Sequence, residues 1–394
     1  MTVVAQRSND DLTAEWLTSI LREEGASVEK LMVEDIGVGR GFVCQTVRLT
    51  PTYAGAGSEA PATLVAKVPT FLGFSEDLMP LLATLVTAEP GWYRAEQPMF
   101  PGRAPRSFGS VYGSVTEHAL LLEDLGGLRE FTQVDGCSAD EARLIVEHLG
   151  RAHAHWWETE RLQGSDWLPS VEQGASQWEP YTQAGWELFA ERIVPRIDPA
   201  FAAIRERVAE RYGDLLRKGA ASASTLVHGD FRLENLMMGE RGSEDELVIL
   251  DWQLIGWGSG LRDLAYFVGQ NLAPEVRQEA EGELVELYDA TLVANGVGGY
   301  ELSRCKGDYR RGLLLALSVP IGGTPALADI EPPGGRCRRG ERGELPADAG
   351  SGRGAGRGDG FAQHRGDRGR DGGRVGGGGV GRKRRLPRSW RARA

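Results

Sequence analysis

Cysteine is scarce in this chain: four residues in 394, Cys44, Cys137, Cys305 and Cys337. None lies near another, which excludes a CxxC metal clip and the dense pairing of a disulfide-stapled miniprotein. Long apolar runs are missing too. The longest near the end, residues 312–323, is too short for a bilayer, which takes roughly 20 residues to cross. Residues 1–11 carry acids where a secretory leader would have a basic stretch and an apolar core, so no leader and a reducing cytoplasm are expected. What remains is ordinary for a soluble protein, 41% hydrophobic and 26% charged, with length for roughly two to three domains of about 150 residues.

The net charge of −11 averages two unlike parts. Residues 336–394 hold 17 Lys+Arg against 6 Asp+Glu, with 17 glycines; residues 1–335 hold 28 against 50, a net of −22. The basic end has only six large apolar residues, Leu345, Phe361, Val375, Val380, Leu386 and Trp390. They cannot repay the ordering of 59 residues at about 1–2 kcal/mol each, so a disordered tail that packs on nothing is expected. Two origins fit its composition. One is an Arg/Gly-rich arm for nucleic acid, against which stands the want of interleaved aromatics; the other is the shifted reading frame of a GC-rich gene. Without a folded continuation, the apolar residues of 313–321 are expected to be short of partners. Function is to be sought in 1–335, whose acidity disfavours nucleic acid and either suits a cationic substrate or serves solubility.

Trp16, Leu17, Ile20 and Leu21 recur at helical spacing before a stop at Gly25. Residues 31–36 and 42–49 read as strands around a glycine turn, 63–68 as a third strand, and 107–113 and 118–123 as two more, with a helix around 78–86 between. Beyond Gly126 helical patterns take over. Ser138-Ala-Asp-Glu141 is a capping box, ahead of an apolar face made by Leu144, Ile145, Leu149, Ala152, His153 and Trp156. Further helices are expected around 186–194, 199–217 and 274–295, interrupted by a hairpin of 236–238 and 247–250 around an acidic turn. The fold class is α+β: a small β-rich N-lobe, 1–124, a larger mainly helical C-lobe, 125–335, and the tail 336–394.

The sharpest signal is His228-Gly-Asp-Phe-Arg-Leu-Glu-Asn235, with Asp251-Trp-Gln253 beginning 16 residues after Asn235. Asp230 can accept the proton of a nucleophilic hydroxyl. Asn235 offers a neutral oxygen and Asp251, returned by the hairpin, a hard anionic one, together suited to Mg2+ bridging phosphates. Gly37, Gly39 and Gly41 lie between two strands, where glycine lets backbone approach phosphate; such hairpins are also common as plain turns. Lys67, mid-strand in Leu64-Val-Ala-Lys-Val-Pro69, needs a carboxylate, and Glu89 is the candidate partner. Pro90 and Gly91 follow Glu89 directly, and a helix interior tolerates both poorly. The pairing is therefore open, with Glu76 in reserve.

These stretches, with 120–125 and Arg262-Asp-Leu-Ala-Tyr-Phe267, resemble the aminoglycoside phosphotransferase-type branch of the protein-kinase-like fold, and especially the ecdysteroid kinase-like (CHK kinase-like) phosphotransferases. The resemblance spans 37–267. It implies a bilobal kinase-like fold, with ATP under the glycine loop and its adenine against the connector at Glu123 and Leu125. It further implies Lys67 and its Glu89 partner at the phosphates, Asp230 as catalytic base, Arg232 near the transferred phosphate, Asn235 and Asp251 on magnesium, and Asp263 bracing the catalytic loop. Asp263 follows Asp251 by only 12 residues, too few for the peptide-docking segment of a protein kinase. The expected substrate is a small-molecule hydroxyl, with no nucleic acid, membrane or obligate protein partner. The DWQ and DLAYF spellings lean toward a bulky, partly apolar alcohol over a sugar. The alternative is a nucleotide-binding pseudokinase or scaffold without turnover.

His148, His153 and His155 sit on a Trp-rich helix without metal-ligand spacing and read as core or capping residues, His228 as a brace for the catalytic loop. Trp156, Trp157, Trp167, Trp178, Tyr181 and Trp186 either wall an apolar substrate pocket or pack the core.

Overall fold

The computed structural model describes residues 12–21, 25–36, 44–54, 60–69, 79–114, 117–162 and 164–324. The turn with Gly37, Gly39 and Gly41, the reserve acid Glu76 and the tail 336–394 lie outside the described residues.

Helix α1 (Ala14–Ile20) is started by Thr13, whose hydroxyl accepts from the Trp16 amide. Strands β1 (Val28–Asp35), β2 (Cys44–Tyr53) and β3 (Leu64–Pro69) follow, then helix α2 (Met79–Ala95) and strands β4 (Ser107–Ser114) and β5 (Glu117–Glu123). The strands form one antiparallel sheet in the order β1-β2-β3-β5-β4. Period-two alternation gives it two faces. Val47, Leu49, Leu64, Ala66, Val68, Ala119 and Leu121 take one face and pack under Leu17 of α1 and Leu21 just after it, none more than 2% exposed. Each large apolar side chain so buried is worth about 1.5–3 kcal/mol, so a slip of one residue, which would drive Lys67 into this face, is excluded. Cys44, Thr46, Arg48, Val65, Lys67 and Leu122 take the other face and line a cleft.

Past Glu123 the chain is mainly helical. Strand β6 (Arg129–Glu130) precedes helix α3 (Ala139–His155), which the Ser138/Glu141 capping box starts. Helix α4 (Val171–Arg192) begins well before the expected 186, because a second capping box, Ser170 with Gln173, nucleates it and it runs on through Pro180. The segment expected as one helix over 199–217 is two, α5 (Pro199–Glu210) and α6 (Tyr212–Ala220), broken where Arg211 leaves helical geometry. Strand β7 (Thr225–Val227), the hairpin β8 (Leu236–Met238) and β9 (Val248–Ile249), and β10 (Gly256–Gly258) carry the motifs. β7 pairs with β10, and β8 with β6 and β9.

Helices α7 (Leu261–Asn271), α8 (Pro274–Ala294), α9 (Leu302–Ala316) and α10 (Ser318–Gly323) complete the described chain. Over 313–321 the expected shortage of partners holds only in part: α10 seats on α4 and Leu315 and Ile321 are 3% and 0% exposed, whereas Leu314 is 37% exposed. Among the described residues no helix is long and apolar enough to cross a membrane, and Cys44, Cys137 and Cys305 are free thiols.

Candidate active site

Helix α2 runs past Glu89 through Pro90 and Gly91 to Ala95, so the break expected at this pair does not occur. Gly91 is where α2 meets Trp167; a Cβ there would stand 2.2 Å from the Trp167 Cβ. That close packing outweighs the roughly 1 kcal/mol a glycine costs inside a helix. One residue on, Trp92 stacks on Trp252 with centroids 3.8 Å apart and planes 10° from parallel, and Phe100 meets both edge-on. The stack ties α2 to the turn Trp252–Leu254 that follows Asp251. Glu89 is held in place by both ends of this arrangement: Oε2 accepts from Lys67 Nζ at 2.6 Å and Oε1 from the Trp252 amide at 3.1 Å.

Lys67 Nζ also donates to Asp251 Oδ1 at 2.8 Å. Asp251 has φ 61° and ψ 66°, a left-handed backbone that a non-glycine residue adopts at a cost. Burial works against the Lys67 ammonium, but Asp251 and Glu89 outweigh it and hold its pKa above the usual value. Burial would likewise raise the Asp251 carboxyl, and Lys67 overcomes this and lowers it. Glu89 is more enclosed, its side chain 5% exposed against 26% for Asp251, and burial keeps its pKa raised despite Lys67. Of the two acids, Asp251 is the one whose charged form Lys67 favours over the effect of burial. Cys44 lies beside this triad, and burial pushes its thiol up to about 12.

Strand β7 delivers the segment 228–235, which α7 braces. Asp263 Oδ2 accepts from the His228 amide at 2.6 Å and Oδ1 from the Gly229 amide at 3.0 Å, with His153 Nε2 at 3.4 Å. Burial would raise this carboxyl; the hydrogen bond from His153 brings it below its usual value. Gly229 has φ +84°, and a Cβ would stand 2.0 Å from the Leu254 carbonyl oxygen, so the turn requires glycine. His228 Nε2 meets the Leu250 carbonyl at 2.7 Å while its Nδ1 accepts from the Asp230 amide at 3.3 Å. It thus links the loop to the strand end that presents Asp251. His153 is core, with Nδ1 2.7 Å from the Tyr288 hydroxyl.

Asn235 Nδ2 donates to the Asp230 carbonyl at 2.8 Å and to Asp230 Oδ2 at 3.0 Å. Its amide oxygen then has no donor among the described residues. Arg232 Nε is 3.2 Å from Asp230 Oδ2, within ion-pair range but off the hydrogen-bond direction. Burial raises the Asp230 pKa, against the pull of Arg232. A carboxylate so raised is a better proton acceptor than an exposed one.

Lys67, Asp230, Arg232, Asn235 and Asp251 all line one cleft of about 2240 Å³, which reaches the connector at Glu123 and Leu125. Glu89 stands behind Lys67. The Glu123 carboxylate is taken up by Arg103, at 2.8 and 2.9 Å, and by the Arg106 amide at 2.9 Å. A ligand at the connector therefore meets the main chain of Glu123 rather than its carboxylate. Nothing in the sequence singled out Arg103; Trp252 stood in view within DWQ, beside the acid whose surroundings it orders.

The aromatics left open between pocket and core divide. Trp178 and Tyr181 line the cleft, edge to face at 5.6 Å, whereas Trp156 and Trp167 are buried in the core, Trp157 packs against it and Trp186 stacks on Phe189. Among the described residues no three His, Cys, Asp or Glu gather into an all-protein metal cage. One carboxylate, Asp251, and one uncommitted amide oxygen, on Asn235, suit a hard cation that keeps waters and phosphate oxygens in its remaining positions.

Residues 76–296 match the sequence model of the Ecdysteroid kinase-like family. No curated protein matches the chain in sequence. Many solved structures have a similar course, three of them as follows. A macrolide 2'-phosphotransferase from Brachybacterium faecium is 17% identical, with TM-score 0.46 over 81% of this chain and 93% of that one. A choline kinase from Cryptosporidium parvum is 10% identical, with TM-score 0.49 over 80% and 89%. An aminoglycoside phosphotransferase from Streptomyces rimosus, in complex with ADP and streptomycin, is 17% identical, with TM-score 0.45 over 77% and 97%.

Proposed function

The chain belongs to the ecdysteroid kinase-like family, and on that premise we propose that it transfers the γ-phosphate of ATP to a hydroxyl of a small molecule. The observation that carries the reading is the convergence of Lys67, held between Glu89 and Asp251, with Asp230 and Asn235 on one cleft. Asp230 takes the proton of the attacking hydroxyl as its oxygen bonds to the γ-phosphorus and the bond to ADP breaks. Lys67 binds phosphate oxygens through the N–H that Glu89 and Asp251 leave. Asp251 and the amide oxygen of Asn235 hold Mg2+, which when bound supplies charge neutralisation at the phosphates. Arg232 stands beside Asp230, where a cation meets the transferred group. Val65, Leu122 and the main chain at Glu123 and Leu125 offer an apolar slot with backbone groups for the adenine.

The size of the cleft and the placement of Trp178, Tyr181 and Trp257 along it support a bulky, partly apolar alcohol over a sugar. The test is ADP release, coupled to detection of phosphorylated product, across a panel of alcohols and aminoglycosides. Transfer to at least one apolar alcohol is expected. A response confined to aminoglycosides overturns the substrate reading, and nucleotide binding without transfer to any hydroxyl overturns the kinase reading.

A further inference from the structure

The acidity of residues 1–335 does not extend to the helical end of the cleft. There α4, α5 and the segment between them present Phe189, Arg192, Ile193, Arg196 and Arg205, with Glu191 the acid of this stretch that lines the cleft. Arg205 of α5 lays its guanidinium over the Phe189 ring, 4.9 Å from the centroid. Phe189 is 2% exposed, so the ring is a fixed platform. Stacking engages only the face of a guanidinium and leaves its five N–H donors around the edge. None of them finds an acceptor among the described residues: Arg205 makes no hydrogen bond or ion pair, Glu191 included, and its Nε is shut off from water as well. Burial alone lowers the Arg205 pKa, no acid near it acting in the opposite sense.

A buried N–H without an acceptor is costly, and in Arg205 that N–H is the one on Nε, the rest of the guanidinium facing the cleft. We propose that Arg205 is the anion-recognising residue of the substrate site: the alcohol phosphorylated at Asp230 also carries a carboxylate or comparable oxyanion, joined to the hydroxyl by an apolar body that lies along Trp178 and Tyr181. This rests on the kinase reading above and narrows it to hydroxy acids. It also runs against a cationic substrate, one of the two readings that overall charge left open.

The test uses two hydroxy acids, one rigid and one flexible, cholate and 16-hydroxyhexadecanoate, each beside its methyl ester and below its micelle concentration. Choline and kanamycin serve as cationic comparisons. Binding to the full chain with ADP and Mg2+ is read by calorimetry, and turnover with ATP separately. At least one acid should bind about 10- to 100-fold more tightly than its ester, the range of one charge-assisted hydrogen-bonded contact. Arg205→Gln, on a half-exposed helix face, should bring that ratio toward one, and Arg205→Lys should recover part of it. Equal affinity of acid and ester, binding of neither acid, preference for the cations, or a loss in Arg205→Gln that strikes acid and ester alike overturns the proposal. Arg205-dependent acid binding without phosphate transfer would instead keep the anion site and defeat the kinase reading, so the two failures are distinct.

Discussion

Lys67 and Glu89 meet at 2.6 Å although a proline follows Glu89 directly in the same helix. The helix holds because Gly91 lets Trp167 press against it and Trp92 stacks on Trp252, so tertiary packing supplies what local propensity withholds. The pair sets where the ammonium points. Glu89→Gln should keep the length of the side chain but leave Lys67 to Asp251 alone, drawing it toward the proposed metal ligand. A fall of about 10- to 100-fold in kcat/KM is expected, the size of a displacement of about 1 Å in a reacting group. Steady-state kinetics at varied ATP would check it; unchanged kinetics would mean the pair is structural only.

Asp230 is the proposed base, and its carboxyl pKa is raised by burial. A base works deprotonated, so kcat/KM should fall as pH drops through the Asp230 pKa, and that limb should lie above the ordinary aspartate value of about 3.9. Asp230→Asn should lose the limb and about 10²- to 10⁴-fold in kcat, with nucleotide affinity nearly intact because the proton moves only in the transition state. Wild-type turnover by this variant would remove Asp230 from the mechanism.

Asp251 differs from Asp230 in what it should affect. Lys67 keeps its carboxyl low, so it is charged across the physiological range and available to a cation. Asp251→Ala should abolish the gain in ADP affinity that Mg2+ brings while leaving Lys67 on Glu89. Calorimetry of ADP with and without Mg2+ reads this directly; a Mg2+ enhancement equal to that of the wild type would show that the metal is held elsewhere.

Much of this arrangement was legible because it is local. The spacing from Asp230 to Asn235, and the hairpin that returns Asp251, depend on short-range geometry that residue types announce. The strand alternation that puts Lys67 on the cleft face is equally local, since Leu64, Ala66 and Val68 declare the opposite face. What could not be read comes from partners distant in sequence. Pro90 and Gly91 looked like a helix end until Trp167 supplied a reason for the glycine. Arg103 gave no sign that it would take the Glu123 carboxylate. Of the six aromatics, Trp178, Tyr181 and Trp186 ride on α4 while Trp156, Trp157 and Trp167 follow the end of α3, so helical spacing alone did not decide which reach the cleft. Net charge left a cationic substrate and plain solubility both open, because it sums over a surface and places no group in the cleft.

Asp263 bears on stability more than on chemistry. It is 0% exposed and accepts from the His228 and Gly229 amides at 2.6 and 3.0 Å, with His153 at 3.4 Å. Truncation to alanine would strand two amides and an imidazole away from water, where unsatisfied donors cost about 1–3 kcal/mol each. Asp263→Ala should therefore lose about 3–5 kcal/mol, comparable to breaking a buried ionic contact. Asp263→Asn keeps one acceptor oxygen and should lose less. The folded pKa of Asp263 is depressed, so its contribution is fully present above the unfolded value of about 3.9 and disappears only as pH falls through the lower folded value. At neutral pH the whole deficit should be visible as a drop of several degrees in Tm, larger for alanine than for asparagine. Equal Tm values for the wild type and Asp263→Ala would show that the loop 228–235 holds its shape without this brace.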